Sequence, residues 1–302
     1  MGRFKQGLIC LLLLPATIQA GAKEENQRYT ERYPLKTIQA NGIEIAYKVI
    51  GEPTDTPVLL VMGLGASHRL WGDNFVKGIV DAGYRVVLFD NRDVGESQRF
   101  HEHGQPWLWW QFIRDKIGFS VGAAYSLDDM ADDSVALLDV LNIDDAHIVG
   151  ASMGGMIAQT IAAKYPARTR SLISIMSSTG APHLPAPSNE SSAGLEKVAS
   201  GKSEQQDYYE SIGLHPDAMP RHILAIMDTG DRSEAVKTIK APTLVLHGAD
   251  DTLLSPPHGE HTAALIEGSK LVIFQGMGHN MPEEIVPDLL KNMIEHMEAA
   301  IR

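Results

Sequence analysis

Apolar residues in this chain fall in short unbroken runs, separated by stretches in which apolar positions recur every three or four residues. The runs are Val58-Leu59-Leu60-Val61-Met62, Arg85-Val86-Val87-Leu88-Phe89, His147-Ile148-Val149, Ser171-Leu172-Ile173-Ser174-Ile175, Thr243-Leu244-Val245-Leu246 and Leu271-Val272-Ile273-Phe274. A strand without a polar face must be covered on both sides, as in a parallel sheet. The segment from Ile43 to Ile50 instead alternates apolar and polar residues, as an edge strand or hairpin does. Helical spacing predicts helices around Asp73–Ala82, Leu127–Leu141, Gly155–Lys164, His258–Ile266 and Pro287–Ile301. Strands alternating with helices predict an α/β fold with a mostly parallel central sheet and helices on both faces. Ligands of such sheets bind at the carboxyl ends of the strands.

Two stretches break this rhythm. From Thr179 to about Val236 the chain is rich in Pro, Ser, Ala and Gly and has no strand signal, although it lies between two core strands. It reads as an inserted cap of short helices, for example Glu204–Ile212 and Pro220–Met227, with a disordered surface loop as the alternative. The layout is then a leader at 1–22, core at 23–178, cap at 179–236 and core again at 237–302. The second stretch, Phe100 to Ala124, carries Trp107, Trp109 and Trp110, three of the four tryptophans, so its aromatic density points to an apolar wall for a substrate rather than to core packing.

Composition narrows the setting. Arg3 and Lys5 precede the apolar run Leu8–Ile18, and Ala20-Gly21-Ala22 offers a small-residue cleavage site, the layout of a secretory signal peptide. The run is short for a bilayer span. The expectation is a periplasmic or secreted protein with no stable membrane insertion after cleavage; an uncleaved anchor is the alternative. Cys10, the only cysteine, lies in this leader, so the mature chain would have no disulfide, catalytic cysteine or cysteine–zinc site. The 26 Lys and Arg against 38 Asp and Glu give a formal charge of −12, which argues against nucleic acid and anionic membrane surfaces as partners. Nothing in the sequence sets the oligomeric state.

Candidate chemistry centres on Gly150-Ala151-Ser152-Met153-Gly154, which reads G-x-S-x-G between the strand at Ala146–Val149 and the helix from Gly155. A serine on so sharp a turn is held exposed at the sheet edge, and flanking glycines avoid a clash. The bland alternative is a glycine-rich turn in which Ser152 caps the helix. A serine nucleophile needs a base, and the base an orienting acid. The chain has 12 histidines, so position must choose among them. His279 follows the strand Leu271–Phe274 across a glycine-rich turn and is the predicted base. Asp251, after the strand Thr243–Leu246, is the predicted acid, with adjacent Asp250 as fallback. The N–H groups of Met153 and of Leu64, in Gly63-Leu64-Gly65, are the predicted oxyanion donors. His101 with His103 and His258 with His261 have no third ligand at a telling spacing, so no metal site is expected.

On these residues the chain resembles the serine hydrolases of the α/β-hydrolase fold. The loop Asp90-Asn91-Arg92-Asp93-Val94-Gly95-Glu96-Ser97 is similar to that family's D-x-R-G-x-G-x-S, with Asp93 where Gly is usual. Met62-Gly63 stands where many members have His-Gly. Together with Phe89–Asp93, the stretch Met62–Gly65 is similar to bacterial esterases of the aclacinomycin methylesterase type. The resemblance implies hydrolysis of a small or medium-sized apolar carboxylic ester through an acyl-enzyme, with a small-molecule partner and no metal or organic cofactor. Serine at the nucleophile position tells against dehalogenases and epoxide hydrolases, in which an aspartate attacks. Lactone opening, amide or aminopeptidase action and carbon–carbon bond hydrolysis use the same triad and stay open, as does a ligand-binding member without turnover.

Overall fold

The computed structural model describes residues 28–199 and 206–300. The leader at 1–22 and the first two residues of the helix read at Glu204–Ile212 lie outside them. Eight strands form one sheet: β1 (Lys36–Ala40), β2 (Ile43–Ile50), β3 (Thr56–Val61), β4 (Tyr84–Phe89), β5 (Ala146–Ala151), β6 (Thr169–Ile175), β7 (Thr243–Gly248) and β8 (Lys270–Phe274). Their order is β1-β2-β4-β3-β5-β6-β7-β8. β2 runs antiparallel to both neighbours, and all pairings from β4 through β8 are parallel.

Unbroken apolar strands are explained by cover on both faces. In β3, Leu59 and Val61 pack with side chains of α3 (Leu127–Val140) and α4 (Met153–Lys164). Val58 and Leu60 point the other way, toward α1 (Asp73–Asp81) and α10 (Val286–Ala300). Fully burying each such side chain contributes about 1.5–3 kcal/mol. α9 (Pro257–Leu265) packs on β7 and β8. β2 is not the edge. A tight turn at Asn41-Gly42, with φ of 48° and 77°, folds β1 back along its outer side. β1 is mostly exposed, so it lacks the apolar pattern that marks the other strands.

Between β6 and β7 lie α5 (Asn189–Ala199), α6 (Gln206–Ile212), α7 (Met219–Thr229) and α8 (Ser233–Val236). Arg232 clamps the two ends of this insertion. Its backbone N–H donates to Thr179 O at 2.9 Å, and its guanidinium to Ser178 O at 2.7 Å and Gly230 O at 3.2 Å. Burial pulls this guanidinium down to about 10, which leaves it charged at neutral pH. The stretch Phe100 to Ala124 contains α2 (Leu108–Lys116), which packs on α7.

A second tie between cap and core lies at Asp93, whose φ is 75°. A glycine is at ease there; Asp93 is held by its side chain. Arg221 of α7 grips the carboxylate through Nε and Nη2, the latter at 2.8 Å. Tyr125 Oη donates to it at 2.7 Å and Phe100 N–H at 3.1 Å. Burial pushes this carboxyl up, but those hydrogen bonds and the Arg221 charge outweigh it and hold it below the usual carboxylate range.

Both partners of the pair are buried, so removing one leaves the other with only distant counter-charges, Arg99 at 3.8 Å from Asp93 and Asp217 at 3.9 Å from Arg221. Asp93→Ala is expected to lower unfolding free energy by about 3–5 kcal/mol in urea titration. Adding Arg221→Met is expected to restore most of that loss; a double variant no better than the single would refute the account.

Buried histidines make stability pH-dependent. His147 and His222 have no solvent exposure, and burial pushes both down to about 4. Burial also lowers His247, His258 and His296. These rings are neutral in the folded chain but titrate near 6.5 when released. Between those values the unfolded chain binds more protons, so stability falls as pH falls from 6.5 toward 4. Thermal midpoints measured at pH 7, 5.5 and 4.5 are expected to decline in that order; a flat profile would contradict neutral burial.

Candidate active site

Ser152 lies between β5 and α4, at φ 56° and ψ −121°. Space forces the glycines around it. A Cβ on Gly150 would run into Gly154 O, and one on Gly154 into Val61 O of β3. On Gly155 it would meet Ser177 Cβ at 2.5 Å. The turn is fixed by Ser152 N–H donating to Ile175 O at 2.9 Å. Its carbonyl accepts from Gly155 N–H at 2.9 Å and Ser177 Oγ at 2.8 Å. α4 starts at Met153, two residues before the predicted start, so helical N–H groups begin directly after the serine. Ser152 does not cap this helix with its side chain.

Instead Ser152 Oγ lies 2.9 Å from His279 Nε2, and His279 Nδ1 lies 2.8 Å from Asp251 Oδ2. A carboxylate only accepts, so Nδ1 carries the proton and Nε2 is left to accept from the serine hydroxyl. The other Asp251 oxygen accepts the N–H groups of Leu253 and Leu254, both at 2.9 Å, which fixes the buried carboxylate. His247 Nε2 stands 3.6 Å from Asp251 but donates to Leu254 O at 2.6 Å, and burial keeps that ring neutral. Asp250 serves the turn: its Oδ2 accepts Gly276 N–H at 3.1 Å, just before His279.

Gly63 lies against the elbow. Its absent Cβ would sit 3.1 Å from Ser152 Cβ and 3.6 Å from Met153 N. The N–H groups of Leu64 and Met153 donate to no partner among the described residues. The structure thus brings Ser152, His279 and Asp251 into one hydrogen-bonded series, with Gly63–Leu64 and Met153 beside it. Trp107, Trp109 and Trp110 form an aromatic cluster at α2, Trp107 stacked on Trp109 and Trp110 edge-on to it, 71%, 60% and 46% exposed. A polar cavity of about 470 Å³ between the loop after β4 and the cap is lined by Glu96, Arg99, His101, Gln105, His215 and Asp217, among others, but not by Ser152 or His279.

Three contributors were not read from the sequence. Asn91 Nδ2 donates to Met62 O at 2.8 Å and steadies the end of β3. His215 and His222 reach the Gly63–Gly65 loop from the cap. Asn91 sits in the D-x-R-like loop, which was a usable signal; the two cap histidines had none, because no spacing relates them to β3.

Chemically, an imidazole poised on a serine hydroxyl can take its proton as the oxygen attacks an electrophilic carbon. Free N–H groups beside that oxygen can hold the negative charge that develops. Among the described residues no cluster of His, Cys, Asp and Glu could hold a metal ion, and no helix is long and apolar enough to cross a membrane.

Comparison with known proteins agrees with this architecture. Rhodomycin D methylesterase DauP of Streptomyces sp. (strain C5) is 26% identical, across 88% of this chain and 99% of its own length. Rhodomycin D methylesterase DnrP of Streptomyces peucetius is 25% identical, across 88% of this chain and 99% of its own. The crystal structure of a hydrolase from Pseudomonas aeruginosa PA01 superposes with a TM-score of 0.68 at 22% identity, covering 87% of this chain and 98% of that one, a likeness of fold. The family model described as alpha/beta hydrolase fold matches residues 56–209, just over half of the 302 residues. By that match and this sheet order, the chain belongs to the alpha/beta hydrolase fold family.

Proposed function

We propose that this protein is a serine-dependent hydrolase of a small or medium-sized apolar carboxylic ester. The observation that carries the reading is the unbroken series from Ser152 Oγ through His279 to Asp251, at 2.9 and 2.8 Å. The rhodomycin D methylesterases among its relatives support an ester substrate.

In this reading His279 Nε2 takes the Ser152 proton as Oγ bonds to the ester carbonyl carbon. The carbonyl oxygen becomes an oxyanion received by the N–H groups of Met153 and Leu64. Collapse breaks the bond to the alkoxy oxygen, which leaves as the alcohol with the proton from His279. Water then adds to the acyl-enzyme with His279 again as base, releasing the acid and restoring Ser152. Asp251 holds the reactive tautomer and stabilises the imidazolium. Trp107, Trp109 and Trp110, exposed beside cap helix α7, offer apolar surface for the substrate's hydrocarbon part.

A fluorophosphonate probe is expected to label the wild type at Ser152. Ser152→Ala is expected to abolish labelling and lower ester turnover by about 10³-fold or more. A folded Ser152→Ala protein with unchanged turnover would refute the reading. Assayed against esters, lactones and aminoacyl amides, the wild type is expected to prefer esters. For the aromatic wall, Trp109→Ala with Trp110→Ala is expected to raise KM about tenfold for long-acyl esters at constant kcat, equivalent to about 1.4 kcal/mol of lost apolar contact. Acetate esters are expected to be unaffected; equal KM values on both would remove the tryptophans from the site.

A further inference from the structure

We infer that His222, on cap helix α7, is a positioning residue that orients the Gly63–Gly65 loop and with it the Leu64 N–H. This rests on the esterase reading above, in which that N–H receives the oxyanion.

The loop is only partly held by the core. Asn91 fixes Met62 O, and Ala66 N–H donates to Gly63 O at 3.2 Å. Its remaining polar contacts come from the cap. Gly65 N–H donates to His222 Nδ1 at 3.1 Å, and His215 N–H to Gly65 O at 2.6 Å. One turn further, Ser67 N–H donates to Gly213 O at 2.7 Å, and Ala66 forms a bridge with Leu214. Gly65 has φ +62°, and a Cβ on it would meet the Met219 side chain. The cap therefore closes on the loop from Gly213 to His222.

His222 is suited to this task by its second nitrogen. Nε2 lies 3.0 Å from Arg92 O, which can only accept, so the proton sits on Nε2 and the Nδ1 lone pair faces Gly65 N–H. The ring is fully buried and edge-on to Tyr125. It thus spans two core loops, the one after β3 and the one after β4. Peptide units are planar. Ala66 fixes the unit that carries Leu64 N–H, and His222 fixes the next, so the angles at Leu64 have little freedom left. An apolar residue could fill the same volume, but it would leave Gly65 N–H and Arg92 O buried without partners.

Two substitutions separate orientation from mere packing. His222→Asn keeps an acceptor near the Nδ1 position and loses the donor to Arg92 O. His222→Gln keeps a donor near the Nε2 position and loses the acceptor for Gly65 N–H. The readouts are kcat and KM on an ester, and the affinity of a trifluoromethyl ketone, which adds to Ser152 to form an oxyanion. His222→Gln is expected to lose about 10- to 100-fold in kcat and in ketone affinity, with KM within about twofold, a fraction of what losing a whole oxyanion donor costs. His222→Asn is expected to keep most of both at similar thermal stability. Equal losses in the two variants, or a loss confined to KM, would overturn the inference. Should neither variant fold, the wild type decides: exchange of the Gly65 amide is expected to slow on ketone binding, and an unchanged rate overturns the role. An inactive wild type that the fluorophosphonate leaves unlabelled refutes the esterase reading itself, whereas an active wild type with equal Asn and Gln variants refutes only the role of His222.

Discussion

A positive φ on a residue with a side chain is disfavoured by order 1–3 kcal/mol and persists only where the surroundings over-determine it. Ser152 at φ 56° meets that condition. Its N–H is tied to β6 and its carbonyl to α4 and Ser177, so the peptide units on both sides are fixed before any substrate arrives. The same constraint spreads outward through space. Gly150, Gly154 and Gly155 lack a Cβ because strand, helix and Ser177, two residues after β6, are pressed together at this point. That closeness puts Gly63, at the end of β3, against Ser152, so the geometry of two donors and one hydroxyl follows from one backbone angle and its packing.

Much of this was legible in the chain, for a physical reason. A parallel strand buried on both faces has to be apolar throughout, and a strained elbow has to be flanked by glycines; both needs leave residues that can be read. Positions for a nucleophile, base and acid could be proposed in the same way, because each follows a strand and the strands were visible. Of the two aspartates, side chains of adjacent residues point apart: Asp251 faces His279 while Asp250 caps the turn before it. Other features left no such trace. β1 is mostly exposed and carries only its Asn41-Gly42 turn as a signal, so β2 read as an edge strand or hairpin, and the hairpin is the outcome. The contacts of His222 span 157 and 130 residues to Gly65 and Arg92, and no local period encodes pairs so distant.

The cap emerges as a structural part of the core rather than an addition over it. Arg232 closes its neck, Arg221 inserts into a pocket of the core around Asp93, and His222 beside it meets the loop next to the elbow. Asp93 occupies a position that is usually glycine in the family pattern, and its φ of 75° explains that preference. Here the side chain that a glycine would lack has become the counter-charge for a buried arginine.

That exchange limits how the two parts can be recombined. A relative's cap lacking a cation to match Asp93 would, if grafted onto this core, leave a buried carboxylate with Tyr125, Phe100 N–H and, as its remaining cation, only Arg99 at 3.8 Å. The reverse graft would carry Arg221 into a core with glycine at that place, and the buried guanidinium would be left with the half-buried Asp217, 3.9 Å away, in place of its close carboxylate. Cap and core of this chain are thus a matched pair of modules: a chimera that moves one must carry the residue at position 93 together with the stretch from Gly213 to Gly230.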